Sequence, residues 1–335
     1  IRDSTYTYTG GVKGIIWVDV LQMSIYIGGA IIALVILLDK VPGGFSAVNG
    51  FSDGINKFSL INWGFSGGLK GFFSCPYTLI GSLLGGTFLS MASHGTDQLI
   101  VQRLLTTKTL KDSKKALISS GIIVIFQFAL FLLVGLMLFA FYKGVPVGSE
   151  GLLVDIDKPD EIFPYFIIHS LPVGIKGIII AGLLAAAMST LAGSMSSLSS
   201  SAMMDLYKPH FVKSNNEKRE LIVSRIFTIF WGVVLSLVAF LFIRVLQSVV
   251  EIALGIASIT YGGLLGTFLL GALFKKPDER AAIWGFSAGI IAMLSLIVIP
   301  FLFGNPPIVH WTWYTLIGCS VTLLVGNLVT YAEKR

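Results

Sequence analysis

Charge is the first thing this sequence is short of. Asp, Glu, Lys and Arg make up only 13% of its 335 residues, against about 25% in a typical soluble domain, so a water-facing globular fold is excluded. Histidine is scarce and scattered: His94, His169, His210 and His310 stand far apart. No HExxH helix, acid cluster or Ser/His pairing accompanies them, which argues against an intramembrane enzyme. The two cysteines, Cys75 and Cys319, have neither metal-ligand spacing nor a partner framework, and both are read as inert. The net charge of +6 does not point to nucleic acid, because the basic residues fall in short loops rather than on one face. The chain starts at Ile1 with no signal-peptide pattern, and is read as truncated at its N-terminus.

What the sequence has is apolar length. Hydrophobic residues make up 54%, the mean hydropathy is +0.83, and stretches of about 20 apolar residues recur, as a hydrocarbon core of roughly 30 Å requires. The pattern predicts an all-α polytopic membrane protein with eight spans in a single transmembrane domain, residues 1–335. These run over about 14–38, 77–105, 116–142, 174–204, 221–243, 249–274, 281–303 and 311–331. The second is expected to be interrupted near Gly85-Gly86 and again at His94-Gly95. Two further segments, Ala47–Trp63 and Glu161–Leu171, are too short to span and read as interfacial.

Loop charge orients the spans. Basic residues gather before span one (Arg2, Lys13) and after span two (Arg103, Lys108, Lys111, Lys114, Lys115). They gather again after span four (Lys208, Lys213, Lys218, Arg219, Arg225), span six (Lys275, Lys276, Arg280) and span eight (Lys334, Arg335). Alternation through eight spans puts all five places on one face, which the positive-inside rule makes cytoplasmic. The opposite face carries Glu150, Asp155, Asp157, Asp160 and Glu161.

A charge at the bilayer centre costs roughly 2.5–3.5 kcal/mol on insertion scales, so acids within spans mark candidate sites. Asp19 lies early in span one with Gln22 at i+3. It reads as an ion or gating residue, or as an interfacial acid paired with Lys13. Asp97 lies in span two, beside Gln98, as a ligand or as the N-cap of a helix restarting after Gly95. Glu251 and Gln247 stand at the start of span six, where a neutral amide suits a hydroxyl-bearing ligand. Along span four, Gly182, Ala186, Ser189, Gly193, Ser196 and Ser200 recur every three or four residues and form a small-residue face for close helix approach. On the same helix, the Ser189 and Thr190 hydroxyls and the Ala186 carbonyl, where the side chains open the helical ladder, offer hard oxygens to a monovalent cation. The glycine-interrupted span two fits backbone that lines a cavity or binds a ligand, or a simple kink.

Three stretches resemble the sodium:solute symporter family, that of the sodium/glucose cotransporters. They are Thr9-Gly-Gly-Val-Lys-Gly-Ile-Ile-Trp-Val-Asp-Val-Leu-Gln22, Ser93-His-Gly-Thr-Asp-Gln-Leu-Ile-Val-Gln-Arg103, and the run from Leu171 through Ala186-Ala-Met-Ser-Thr190 to Asp205-Leu-Tyr207. The resemblance covers the whole chain. It implies a LeuT-like fold of two inverted five-helix repeats. Span one would be the last helix of repeat one, residues 77–274 would be repeat two, and the last two spans would be extra helices, with the leading helices outside this sequence. It implies a sodium-coupled symporter that imports a small polar organic solute by alternating access across the lipid bilayer. Rival readings are a transporter-fold membrane sensor and a sodium-coupled carboxylate or amino-acid carrier.

Carried over residue by residue, the family's sodium site falls on Ala186, Ser189 and Thr190. The hydroxyls that some members use for a second sodium are Ala192 and Gly193 here, so one sodium per cycle is expected. Asp19 and Asp97 remain gating or second-ion candidates. The substrate positions of sugar-carrying members fall on Ser90, Val124 and Gln247. Val124 replaces a lysine of that pattern, with Gln127 one turn on as its substitute, and Ser93-His94 replaces the aromatic pair beneath the sugar. The Thr96-Asp97-Gln98 variant is more similar to the sugar, polyol and sialic-acid branch than to the iodide, carboxylate or proline branches.

Overall fold

A computed structural model describes residues 2–50, 57–65, 68–144, 159–211, 217–242, 248–274, 278–304 and 307–332. Gln247, Arg244 and the acidic residues Glu150, Asp155 and Asp157 lie outside the described residues. Among the described residues there is no strand, as an apolar environment dictates: without water, a backbone must satisfy its own donors and acceptors within each segment.

The helices are α1 (Arg2–Lys40), α2 (Phe45–Gly50), α3 (Gly68–Ser74), α4 (Leu79–Gly95), α5 (Gln98–Leu105), α6 (Leu110–Gly144), α7 (Ile162–Ser170) and α8 (Val173–Ser201). A π-helical turn, Ala202–Tyr207, follows α8. Then come α9 (Lys208–Phe211), α10 (Glu217–Phe242), α11 (Val249–Leu273), α12 (Glu279–Leu302) and α13 (Tyr314–Ala332). Among the described residues, seven helical segments are long and apolar enough to cross a membrane; they correspond to the expected spans one and three to eight. The expected second span is α4 and α5, divided at Thr96-Asp97. The expected interfacial segment Glu161–Leu171 forms the short helix α7.

The interruption expected at Gly85-Gly86 does not occur, because α4 runs through both glycines. Gly85 is small for a different reason. A Cβ there would overlap the carbonyl oxygen of Thr312, whereas a Cβ on Gly86 would meet nothing within 4 Å. The glycine that looked like a helix breaker is a packing contact.

The chain packs as two units. Unit one comprises residues 1–57 and 110–246, and unit two residues 58–109 and 247–335. Within unit one, α1 and α8 run antiparallel. A Cβ on Gly182 would lie 2.5 Å from Ile25 Cγ2, and one on Gly29 would lie 2.8 Å from Ile179 Cγ1, so each helix supplies a glycine notch for an isoleucine of the other. At the far end Lys40 Nζ donates to the Ser170 carbonyl (3.4 Å). Van der Waals packing of this kind is what joins helices once lipid has removed any hydrophobic drive between them.

Helix α8 is tied to α10 by hydroxyls. Ser199, 2% exposed, donates to the Ser224 carbonyl (2.8 Å), and Thr228 Oγ1 donates to Ser199 Oγ (3.1 Å). Ser199→Ala is expected to cost about 1 kcal/mol, the scale of interhelical hydrogen bonds in membranes. The expected readout is a melting temperature a few degrees lower for the purified protein in detergent.

Unit two is built on small residues. A Cβ on Gly262 would lie 2.9 Å from Gly318 Cα, one on Gly266 would lie 2.5 Å from Thr322 Cβ, and one on Gly285 would lie 3.2 Å from Gly326 Cα. Glycine thus brings α11, α12 and α13 to near backbone contact. The entry to α13 is fixed by Trp313, 4% exposed, whose ring lies 5.5 Å from Phe72 and 5.2 Å from Phe73 of α3.

Candidate functional site

In unit one, the sodium candidates sit where α8 faces α1. Ser189 is half-buried, and its hydroxyl donates to Asp19 Oδ1 (3.1 Å). Gln22, three residues along α1, is 8% exposed. Ala186 is half-buried and Thr190 is exposed. The Gly182–Ile25 and Gly29–Ile179 notches hold the two helices in the register that pairs Asp19 with Ser189. One detail differs from expectation. Helix α8 is unbroken from Val173 to Ser201, so the Ala186 carbonyl stays in the helical ladder and has only its second lone pair to offer.

The chemistry of this donor set suits a hard cation. Every candidate atom is oxygen, with one formal negative charge on Asp19. Because Ser189 spends its proton on Asp19, its lone pairs are left for another partner, and the carboxylate polarises them toward greater negative charge. Gln127, the substrate candidate of this unit, is half-buried on α6.

In unit two, Ser90, Ser93 and His94 gather on the last turns of α4. Ser93 Oγ lies 2.9 Å from His94 Nδ1, and His94 Nδ1 lies 3.0 Å from the Ser90 carbonyl. This carbonyl-linked group ends one residue before the break. There Thr96 folds back, its hydroxyl donating to the Ala92 carbonyl (2.7 Å). Asp97 then starts α5 in an extended conformation (φ −74°, ψ 120°), its Oδ1 accepting from the Leu99 N–H (2.9 Å). The N-cap alternative read from the sequence is therefore the geometry observed. The remaining substrate candidate, Gln247, is among the residues not described.

Two partners had no signal in the sequence reading. Tyr261 of α11 donates its hydroxyl to Asp97 Oδ2 (2.6 Å); the only available hint was a tyrosine inside an otherwise apolar span. At the start of α11, the Tyr77 hydroxyl donates to Glu251, and the Tyr77 ring lies 5.8 Å from that of His310. Burial pushes His310 below the ordinary imidazole range, against the opposing pull of the Glu251 carboxylate.

These features can be set beside known proteins. The sodium:solute symporter family model matches residues 3–289. The chain belongs to the sodium:solute symporter family. It is 28% identical over 325 residues to the sodium/sialic acid symporter SiaT of Proteus mirabilis (strain HI4320), covering 96% of this chain and 62% of the relative. It is 27% identical over 335 residues to the sodium/sialic acid symporter NanT of Aliivibrio fischeri (strain ATCC 700601 / ES114), covering 98% and 62%. A solved structure of a Na+-coupled sialic acid symporter, in a substrate-bound outward-open state with a novel Na+ site, matches with a TM-score of 0.72 at 25% identity, covering 98% of this chain and 64% of that one. The chain thus spans somewhat under two thirds of the length of these relatives.

Family membership settles the class. This is a multi-pass plasma-membrane protein with a LeuT-like all-α fold. The family is one of symporters, which move solutes with sodium rather than convert them chemically.

Proposed function

We propose that this chain is the larger part of a symporter that uses the sodium gradient to import a small polar organic solute, with a sialic-acid-like acidic sugar first and other sugars and polyols next. In this reading α1 closes the first inverted repeat, residues 77–274 form the second, and α12 and α13 are additions outside the repeats. The observation that carries the ion part is the Ser189–Asp19 hydrogen bond between α8 and α1. In that bond an acidic side chain lies beside the hydroxyl at the position matched to the family's sodium site, and the hydroxyl's lone pairs are left for another partner. Ser189, Thr190 and the Ala186 carbonyl then supply part of the ion's shell. Ser90, Ser93, His94, Gln127 and Gln247 are the substrate candidates, and the two sialic acid symporters among the relatives favour an acidic sugar.

The energetics suffice for concentration. For a neutral solute, one positive charge moved inward across 100 mV contributes about 2.3 kcal/mol, roughly a 50-fold concentration ratio before the sodium gradient itself is added; an anionic sugar carried with one sodium moves no net charge, and the sodium gradient alone drives it. Sodium binding from outside favours the state with a formed substrate site; a cytoplasm low in sodium then releases both.

The test is uptake by the full-length protein in proteoliposomes. The panel holds labelled sialic acid, hexoses, polyols, monocarboxylates and amino acids, each with an inward sodium gradient and then with potassium in its place. Sodium-dependent accumulation of sialic acid is the expected result. Uptake that is the same in potassium would remove the sodium coupling, and accumulation of a monocarboxylate or amino acid alone would move the substrate class.

A further inference from the structure

The Asp97 carboxylate has two oxygens with two different tasks. Oδ1 accepts from the Leu99 N–H and starts α5, while Oδ2 accepts from the Tyr261 hydroxyl and ties that start to α11. Both contacts lie within unit two. Helix α5 has eight residues, and a helix so short has little stability of its own, so its place is set by such tertiary bonds. Beside the tie, one side of α5 faces open space. An open groove of about 500 Å³ runs between Gly95, Thr96 and Val101 on one side and Leu264, Phe268 and Phe286 on the other. Helix α5 is therefore tied to α11 through its N-cap and borders an open groove along one side of its body.

From this geometry we infer that the Asp97–Tyr261 hydrogen bond is a latch that positions α5 against α11, and that its making and breaking governs the swing of α5 during the transport cycle. Asp97 and Tyr261 are positioning residues, and neither is an ion ligand. The role in transport rests on the symport reading above; the latch itself does not.

Three variants separate the tasks. Tyr261→Phe removes only the hydroxyl. Asp97→Ser keeps a good N-cap but is too short to reach Tyr261. The third combines both. Each is made in the full-length protein carrying Cys75→Ala and the reporter Val101→Cys, with the same protein lacking the reporter measuring any background from buried Cys319. The readout is the rate of maleimide labelling at position 101 in proteoliposomes, alongside sodium-driven uptake, with size-exclusion profiles confirming folded protein. Loss of one hydrogen bond to a charged group predicts labelling about tenfold faster in each single variant. The double variant should go no faster, because both changes break the same bond. Turnover should change while sodium half-saturation stays within about twofold, since no ion ligand is lost.

Unchanged labelling in Tyr261→Phe overturns the latch. So does faster labelling in Asp97→Ser alone, which would leave only the cap. A raised sodium half-saturation in Asp97→Ser but not in Tyr261→Phe overturns it too, by making Asp97 an ion ligand. If labelling follows the expected pattern while every variant and the parent take up solute equally in sodium and potassium, the latch stands and the symport reading falls.

Discussion

Sodium-driven uptake is expected to fall about 100-fold when Ser189 and Thr190 are both changed to alanine, with the protein still folded. A 100-fold loss corresponds to about 2.7 kcal/mol, just under the sum of two contacts to a charged partner at about 1.5 kcal/mol each. Folding should survive because alanine is the better helix former and neither residue is deeply buried: Ser189 is half-buried and Thr190 exposed. The change also takes from Asp19 the proton it receives from Ser189. The measurement is initial uptake of the best substrate against sodium concentration, in proteoliposomes of parent and variant. Ser196→Ala, an exposed hydroxyl on the same helix, is the control and should leave the sodium curve in place. If the double variant keeps a normal curve, α8 does not hold the ion at these positions.

The second large effect concerns stability. Gly85→Ala is expected to destabilise the protein by about 3 kcal/mol or to prevent its folding. The added methyl would overlap the Thr312 carbonyl oxygen and lie 2.8 Å from its carbonyl carbon. Both are backbone atoms, which cannot rotate aside as a side chain can. Thr312 is also held in place, because its neighbour Trp313 is buried among Phe72 and Phe73. Overpacking of this kind costs about 1–3 kcal/mol or more, and outweighs the gain of up to about 1 kcal/mol that alanine brings to a helix interior. Gly86→Ala meets nothing within 4 Å and should be neutral or slightly stabilising. Thermal unfolding of the two purified variants in detergent makes the comparison. Equal melting temperatures would show that α4 does not touch the entry to α13 as described.

That adjacent pair marks where sequence reading stops. Two neighbouring glycines in an apolar run look alike in sequence, and both suggested a break in span two. Only the arrival of Thr312, more than 200 residues later, separates a packing glycine from a permissive one. The actual break, at Thr96-Asp97, fell one or two residues beyond the expected one at His94-Gly95. It was legible because an Asp following a Gly and a Thr is strong helix-start chemistry.

The candidate sites divide in the same way. Ser189 and Asp19 were each picked out as polar residues that a membrane helix carries at a cost. Their direct bond was not legible, since it joins residues 170 positions apart and depends on a register set by Gly182, Ile25, Gly29 and Ile179. Tyr261 was not picked out at all. Tyrosine is ordinary in membrane helices, and nothing local to it names Asp97 as its partner.

Composition and local order suffice for an all-helical membrane protein, the approximate positions of seven apolar spans, the family, and the polar residues worth suspecting. Apolar length and loop charge are read by lipid and water directly, so no folded structure is needed to interpret them. Which polar groups meet, and which glycines face a neighbour too close for a Cβ, follow from packing between distant helices. In lipid, helices choose partners by surface shape and a few hydrogen bonds, and shape is a property of two distant segments together, absent from either one alone.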